Sequence, residues 1–217
     1  MQDKEFRMSK ITVVTAANKK YEKYLKYTKE SSNSFGYDCL IYDLGGLGYG
    51  KKFEGRFSDE ANAKIPCKPS IIKDAMSSIN DGDYLVWMDA DALLVDSVDC
   101  IAQDYDVGVT LRSPRHMIEH IPLNAGVIFF RKTDRALKFI EKWDLICKKA
   151  ESDQVILNYL IPVSSGCEQK VLNIDDLLVK VFTCEEYNNY YFDENQRAAK
   201  IKHYKTSLRN LHPADRK

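Results

Sequence analysis

The strongest constraint on the fold is an apolar and aromatic run, Tyr84–Met88, that leads directly into Asp89-Ala90-Asp91. A strand that is apolar on both faces is typical of the middle of a sheet, because a surface strand alternates apolar and polar residues. Two carboxylates at the end of a buried strand are costly unless a cation lies between them. The run therefore predicts a central strand that ends at a charged site, and apolar residues resume behind the acids.

Asp89-x-Asp91 has two interpretations. Both acids can be ordinary turn residues at the end of a strand, and D-x-D is common by chance. Alternatively, the carboxylates bind a hard cation such as Mg²⁺ or Mn²⁺, at the strand end where open α/β sheets place their ligands. Burial of the strand on both faces favours the metal site. Two acids cannot enclose an ion, so water, substrate phosphate and another side chain must supply the remaining ligands.

Length and composition limit the possible classes of protein. A chain of 217 residues can bury one full core, and we expect a single domain over residues 1–217. The 32 basic and 32 acidic residues leave no net charge that would attract nucleic acid or a membrane surface. No apolar run approaches the ~20 residues of a membrane helix, and the N-terminal residues 1–7 are too charged for a signal peptide. We therefore expect a soluble protein.

The six cysteines are scattered, without a C-x-x-C pair. This pattern predicts free thiols in a reducing compartment, and hence a cytoplasmic location, rather than a disulfide framework or a zinc ribbon.

The order of predicted elements indicates an α/β fold. Strands over 10–17 and 39–42 flank a helix that we expect to end before the polar breaker 31–34, which makes a βαβ unit. Further strands are predicted at 107–111, 126–130, 171–174 and 178–182, and helices at 68–78, 134–149 and 155–160. Asp134 is the predicted cap of the second of these helices. The later part of the chain is mixed rather than strictly alternating.

The glycine-rich segment 45–52 could be taken for a phosphate-binding loop. Its spacing matches neither G-x-G-x-x-G nor the P-loop, and it follows the second strand rather than the first. We interpret it as a mobile surface loop.

Four segments together resemble the GT-A-type glycosyltransferases that use nucleotide-diphosphate sugars. Val86–Asp91 resembles their apolar strand ending in D-x-D, and Leu123–Arg131 resembles their N-A-G-V strand. Asp153-Gln154 is similar to the D-Q pair at the head of the next helix, and His203-x-Lys205 is similar to the C-terminal H-x-K. The four motifs come in the family's order, and the resemblance covers nearly the whole chain, from the first strand to the tail. The compact chain also resembles the small glycosyltransferase domains encoded by large algal viruses.

This resemblance implies a GT-A fold, in which a Rossmann-like mixed central sheet is flanked by helices. Residues of about 10–95 would form the nucleotide-binding half. Residues of about 96–217 would form the acceptor half and a C-terminal tail that binds metal and phosphate.

The resemblance also implies a metal site and a phosphate contact. Asp89, Asp91 and His203 would hold Mn²⁺ or Mg²⁺, whose positive charge stabilises the departing diphosphate. Lys205 would place its ammonium against the phosphates. A solvated histidine in a basic tail is the alternative for His203. The other histidines, at 116, 120 and 212, have no such support as ligands.

The residues implied for the chemistry are Asn124, Asp153 and Gln154, near the transferring sugar and the acceptor. Each has a structural alternative. Asn124 can end a turn, and Asp153 can be an acid that stabilises a helix N-terminus. For Gly126 we expect close packing of the backbone.

The resemblance further implies which residues would contact the rest of the nucleotide sugar. Thr15 and Ala16, at the end of the first strand, would touch the nucleoside base. Arg56 and Lys68 would contact the phosphates, although each could equally be a solvated surface charge. The aromatic segment 187–192 could line the sugar or acceptor pocket, but packing in the core is the simpler interpretation.

The function predicted in this way is metal-dependent transfer of a sugar from a UDP-sugar to a glycan or other hydroxyl acceptor, with retention of configuration. In an inverting enzyme Asp153 could serve as the general base. Two alternatives remain. One is a haloacid-dehalogenase-like phosphatase, whose D-x-D normally lies on the first strand. The other is a non-catalytic nucleotide-sugar-binding module of the same fold.

Overall fold

The computed structural model describes residues 9–44, 68–113, 117–118, 120–149, 152–190 and 198–215. The glycine-rich segment 45–52 and Arg56 lie outside these residues, so the predictions made for them are not addressed by the structure.

The core of the molecule is a seven-stranded sheet with the order β2-β1-β3-β6-β5-β8-β7. Its strands are β1 (Ile11–Ala17), β2 (Asp38–Asp43), β3 (Tyr84–Met88), β5 (Val107–Leu111), β6 (Leu123–Arg131), β7 (Val171–Ile174) and β8 (Leu177–Thr183). A separate two-stranded sheet pairs β4 (Ala92–Leu94) with β9 (Ile201–His203).

The large sheet is mixed. β1 runs parallel to β2 and to β3, whereas β6 runs antiparallel to both β3 and β5. β8 runs parallel to β5, and β7 closes the edge as an antiparallel hairpin partner. The carboxyl ends of β1, β3 and β5 therefore lie along one edge of the sheet, where the ligands of such folds are found.

Helices and connecting segments cover both faces of the sheet. The helices are α1 (Glu22–Ser34), α2 (Lys68–Ser77), α3 (Asp134–Cys147), α4 (Asp153–Leu160) and the short α5 (Cys184–Tyr187). The apolar faces of α2, α3 and α4 pack in one hydrophobic cluster with one face of the sheet. The opposite face packs against α5 and the β4–β9 ribbon. The predicted architecture, a mixed central sheet flanked by helices, is confirmed.

The central strand β3 is buried on both faces, as its composition predicts. Leu85 and Trp87 belong to the cluster that contains α2 and α3, whereas Tyr84, Val86 and Met88 face the other cluster. Each fully buried side chain of this size contributes about 1.5–3 kcal/mol to stability. The position of Asp89 is thus set by a rigid strand rather than by a loop.

Two local details differ from the sequence predictions. α1 continues to Ser34 instead of ending before residue 31. The hydroxyls of Ser31 and Ser32 both donate to the carbonyl of Thr28, so these serines bond within the helix instead of breaking it. The cap of α3 is Thr133, whose hydroxyl accepts from the amide of Ala136, and not Asp134.

Two global expectations concern membranes and cysteines. Over the part of the chain that is described, no helix has the length and apolar character needed to cross a membrane. The five cysteines found there, at positions 39, 100, 147, 167 and 184, are free thiols.

Candidate active site

The two acids of the D-x-D motif lie side by side at the carboxyl end of β3. The backbone turns tightly between them, since the amide of Ala92 donates to the carbonyl of Asp89 over 2.9 Å. The side chain of Asp91 is 7% exposed and that of Asp89 is 27% exposed. Asp89 is therefore the more accessible carboxylate at this edge of the sheet.

The pairing of β4 with β9 brings His203 to the two acids. Ala92, the residue after the motif, is the register partner of His203. Nε2 of His203 lies 3.0 Å from Asp91 Oδ1 and 3.7 Å from Asp89 Oδ2, and its ring is almost wholly buried. The apolar run behind the acids therefore forms strand β4, and the C-terminal tail pairs with this strand through β9.

Among the residues described, only these three side chains form a group of three or more potential metal ligands. One ligand atom from each of Asp89, Asp91 and His203 lies within 4.8 Å of the others. Carboxylate oxygens suit Mg²⁺ and Mn²⁺, and an imidazole nitrogen adds a ligand that transition ions accept readily. The donor set therefore fits a divalent ion, with three protein ligands and room in the coordination sphere for substrate.

The charge states of the three groups also fit a metal site. Burial alone would raise the pKa of Asp89, but the ammonium of Lys68 and other nearby positive charge lower it below its ordinary value. Burial likewise opposes ionisation of Asp91, yet hydrogen bonds from His203 and Arg209 lower its pKa well below the usual range. Burial and the charge of Lys205 lower the pKa of His203, so the imidazole is neutral at pH 7.

Lys68, at the start of α2, links the D-x-D motif to the D-Q motif. Its ammonium donates to Asp89 Oδ1 over 3.0 Å and to the carbonyl of Ala125 over 2.7 Å, and lies 3.6 Å from Asp153 Oδ2. The side chain is 5% exposed and also faces the ring of Trp87. The structure thus brings Lys68 to the site as an interior cation between two acids.

The N-A-G segment of β6 forms the next wall. Asn124 Oδ1 accepts from the amide of Gly126 and from the ammonium of Lys205, both over 3.0 Å. Nδ2 of Asn124 is buried and has no hydrogen-bond partner within the described parts of the chain. Gln154 Oε1 accepts from the amide of Ala125 over 3.2 Å, so α4 is tied to the same strand.

Gly126 lies directly against the imidazole of His203. A Cβ atom at this position would lie 2.5 Å from Nδ1 of His203 and closer still to Cε1. The packing interpretation of this glycine is confirmed, and the group that it packs against is the proposed metal ligand itself.

Thr15 and Ala16 lie at the carboxyl end of β1, on the same edge of the sheet. Both side chains are buried, and the hydroxyl of Thr15 has no hydrogen-bond partner in the residues described. Of the aromatic segment, Tyr187 packs in the core against Phe129 and Phe182, whereas Tyr190 faces Lys205.

Three residues at the site were not predicted from the sequence. Nε of Arg209 donates to Asp91 Oδ2 over 2.9 Å, Nε1 of Trp87 donates to Asp89 Oδ1 over 3.0 Å, and Oδ1 of Asn188 lies 2.8 Å from Nδ1 of His203. The indole of Trp87 gave a usable signal, because a buried Trp N–H needs an acceptor and Asp89 is two residues away.

Neither family models nor curated proteins match this sequence, but solved structures do. A glycosyltransferase involved in the glycosylation of the major capsid of PBCV-1 aligns with a TM-score of 0.62, covering 94% of this chain and 99% of its own at 16% identity. GlyE of Streptococcus pneumoniae TIGR4, a glycosyltransferase, aligns with a TM-score of 0.57 at 14% identity. The WbbM bifunctional glycosyltransferase aligns with a TM-score of 0.54 at 12% identity.

This chain has a GT-A glycosyltransferase fold. It covers the full length of the PBCV-1 enzyme but only 55% and 46% of the GlyE and WbbM chains. The match confirms the fold that the four sequence motifs predicted. Within this GT-A fold, the acids of the D-x-D motif meet the histidine of the tail.

Proposed function

We propose that the chain is a metal-dependent glycosyltransferase that moves a sugar from a UDP-sugar to a hydroxyl group of a glycan or glycoconjugate. The observation that carries this proposal is the convergence of Asp89, Asp91 and His203, whose ligand atoms lie within 4.8 Å at the carboxyl end of β3. A cation site at that edge of an α/β sheet is suited to a bound diphosphate.

Asp89, Asp91 and His203 would hold the divalent ion. When bound, the ion supplies a Lewis acid that stabilises the negative charge of the leaving diphosphate. The presence of an imidazole supports Mn²⁺ over Mg²⁺, because Mg²⁺ prefers oxygen ligands alone.

Lys205 is the proposed phosphate contact. Its ammonium donates to Asn124 Oδ1 over 3.0 Å and lies above the ring of Tyr190. Lys68 is a second proposed contact. Because its ammonium already bonds Asp89 and Ala125, it would have to exchange a partner to reach a phosphate.

Thr15 and Ala16 are proposed to contact the nucleoside base. They lie at the end of β1, which neighbours β3 on the side away from β6. The unpartnered hydroxyl of Thr15 supports this role, since a buried hydroxyl without a partner is costly and rare.

Asn124, Asp153 and Gln154 are proposed to act on the side of the transferring sugar and acceptor. Asn124 retains an amide donor without a protein partner in the residues described. Asp153 is buried and lies 3.6 Å from the ammonium of Lys68. A carboxylate that is held in this way is poorly placed to take a proton from an acceptor hydroxyl, which supports retention of configuration over inversion.

Both halves of the chain contribute to this site. The nucleotide-binding half, about 10–95, supplies the two acids of the motif, and the acceptor half, about 96–217, supplies His203 and Lys205.

The free cysteines described above support a reducing compartment such as the cytoplasm.

The haloacid-dehalogenase-like phosphatase is not favoured. Its nucleophilic aspartate follows the first strand of its domain, whereas Asp89 follows the third strand described here, β3, in a chain with the fold of glycosyltransferases. A non-catalytic binding module has no observation in its favour, because the described motif residues meet at one site.

The test is release of nucleoside diphosphate from a panel of nucleotide sugars, with Mn²⁺, with Mg²⁺ and with a chelator. We expect turnover of a UDP-sugar that requires the metal and rises with the correct acceptor. Asp91→Asn should remove it. The absence of metal-dependent turnover with every nucleotide sugar, together with release of phosphate from simple phosphate esters, would point to the phosphatase instead.

A further inference from the structure

The imidazole of His203 has an acceptor on each of its two nitrogens. Nδ1 lies 2.8 Å from Oδ1 of Asn188, and Nε2 lies 3.0 Å from Oδ1 of Asp91. A neutral ring carries one proton, so it can donate to one of these oxygens and not to both. Which nitrogen carries the proton decides whether Nε2 has a lone pair to offer to a metal.

The orientation of the Asn188 amide is set by Thr110. The Thr110 hydroxyl donates to the carbonyl of Asn124 over 2.9 Å, and a second carbonyl, that of Val127, lies 3.4 Å away. Because carbonyl oxygens only accept hydrogen bonds, the hydroxyl proton of Thr110 must point towards these carbonyls. The amide nitrogen of Asn188, 2.9 Å from the same hydroxyl oxygen, therefore donates to it. The amide oxygen is then turned towards Nδ1 of His203.

The ring and the amide are both held in place by their surroundings. Asn188 and His203 are 0% and 1% exposed. The amide of Asn189 donates to the carbonyl of Ile201, and the amide of His203 donates to the carbonyl of Asn189, so the two segments are locked together. Gly126 lies against the ring itself. His203 thus has little room to rotate towards another partner.

We propose that Asn188 and Thr110 are positioning residues: when a divalent cation binds, Asn188, oriented by Thr110, accepts the proton of His203 at Nδ1, so that the lone pair of Nε2 beside Asp89 and Asp91 is free for the cation. This inference rests on the metal site of the proposed function. Neither residue touches the ion; both act through His203. Without the acceptor at Nδ1, the ring proton stays on Nε2, where Asp91 accepts it and the ligand position is closed.

The test measures the affinity of the full chain for Mn²⁺ alone, by electron paramagnetic resonance of free Mn²⁺, without nucleotide. Asn188→Leu keeps the branched shape of the side chain and removes the acceptor, and it should weaken Mn²⁺ binding by about 10- to 100-fold, as is usual for the loss of a partner of a metal-bound histidine. Asn188→Asp keeps an acceptor at this position and should restore binding to near the wild-type value. Thr110→Val preserves shape and should weaken binding in the same direction by a smaller factor.

A second readout reports the tautomer directly. Protein labelled with ¹⁵N histidine contains four imidazoles, and His203→Gln identifies the signal of His203. With Zn²⁺, which is diamagnetic, the ¹⁵N spectrum of the wild-type chain should show the proton of His203 on Nδ1. In Asn188→Leu at the same Zn²⁺ concentration the proton should stay on Nε2. A merely structural role of Asn188 would not move this signal.

Each outcome decides the matter. Unchanged Mn²⁺ affinity in Asn188→Leu, or a proton on Nε2 in the Zn²⁺-bound wild type, overturns the inference while leaving the proposed function standing. If Asn188→Leu does not fold, Thr110→Val and the wild-type spectrum give the answer. A wild-type chain that binds Mn²⁺ in the predicted manner but transfers no sugar overturns the proposed function alone. Failure of the wild type to bind Mn²⁺ overturns both.

Discussion

The replacement Gly126→Ala tests the packing of the metal site most sharply. The added Cβ would lie 2.5 Å from Nδ1 of His203, and ordinary contact begins at 3.4 Å, so this atom must move by about 0.9 Å. The distance from a protein ligand to a bound metal ion departs from its standard value by only about 0.2 Å. A displacement of this size therefore takes His203 out of position as a ligand.

The expected cost follows from the packing. Adding a methyl group to a close-packed site costs about 1–3 kcal/mol. If that strain is relieved only by moving His203 away from Asp91, the free energy of metal binding becomes less favourable by the same amount. Because about 1.4 kcal/mol corresponds to a factor of ten, the affinity for Mn²⁺ should fall about 5- to 150-fold.

The matched control is Gly108→Ala. A Cβ there would lie 2.7 Å from the ring of Phe182, in the core beneath the site, so this variant is also overpacked. Both variants should lose thermal stability by calorimetry, but only Gly126→Ala should lose Mn²⁺ affinity by electron paramagnetic resonance. Equal affinities for Mn²⁺ in the two variants would refute the claim that the absence of a side chain at Gly126 allows His203 to reach the metal site.

Three further predictions follow from the same structure. Asp153→Asn should reduce the rate of transfer at least about 100-fold with little change in UDP-sugar affinity, measured by steady-state kinetics and calorimetry, because its negative charge is proposed to act on the transferring sugar and not on the nucleotide. Lys205→Met should weaken UDP binding about 10- to 100-fold, since a charge-assisted hydrogen bond is lost, without weakening the affinity for Mn²⁺ alone; an unchanged affinity for UDP would contradict its phosphate role. Burial lowers the pKa of His212 to about 4 from 6.5, so stability should be complete above pH 6.5 and fall between pH 6.5 and 4, because the unfolded chain binds the proton more tightly. His212→Phe should flatten that part of the stability curve.

The sequence was most informative where structure is decided locally. The strand Tyr84–Met88 and its acids could be predicted because an uninterrupted apolar run is a property of neighbouring residues. The bounds of most other strands agree within a few residues for the same reason. The extension of α1 to Ser34 was missed because serine hydroxyls can bond back within a helix as well as break it.

The site itself depends on contacts that no local pattern reports. His203 reaches Asp91 because β4 pairs with β9, more than a hundred residues further along the chain. In the sequence, only the similarity of the tail to H-x-K indicated that His203 lies beside Asp91. Asn188 and Arg209 were missed because each contacts the site through a single side chain, and neither lies in a recognisable pattern. Long-range pairing creates these contacts, and the composition of either segment does not encode them.

The most direct test of the account is a calorimetric titration of UDP into the chain with Mn²⁺ and with a chelator. We expect at least about tenfold tighter binding when Mn²⁺ is present, equivalent to about 1.4 kcal/mol of coupling between ion and diphosphate. Asp89→Asn and Asp91→Asn should each remove that difference. Equal binding of UDP with Mn²⁺ and with the chelator would contradict the claim that Asp89, Asp91 and His203 hold a metal for a nucleotide diphosphate.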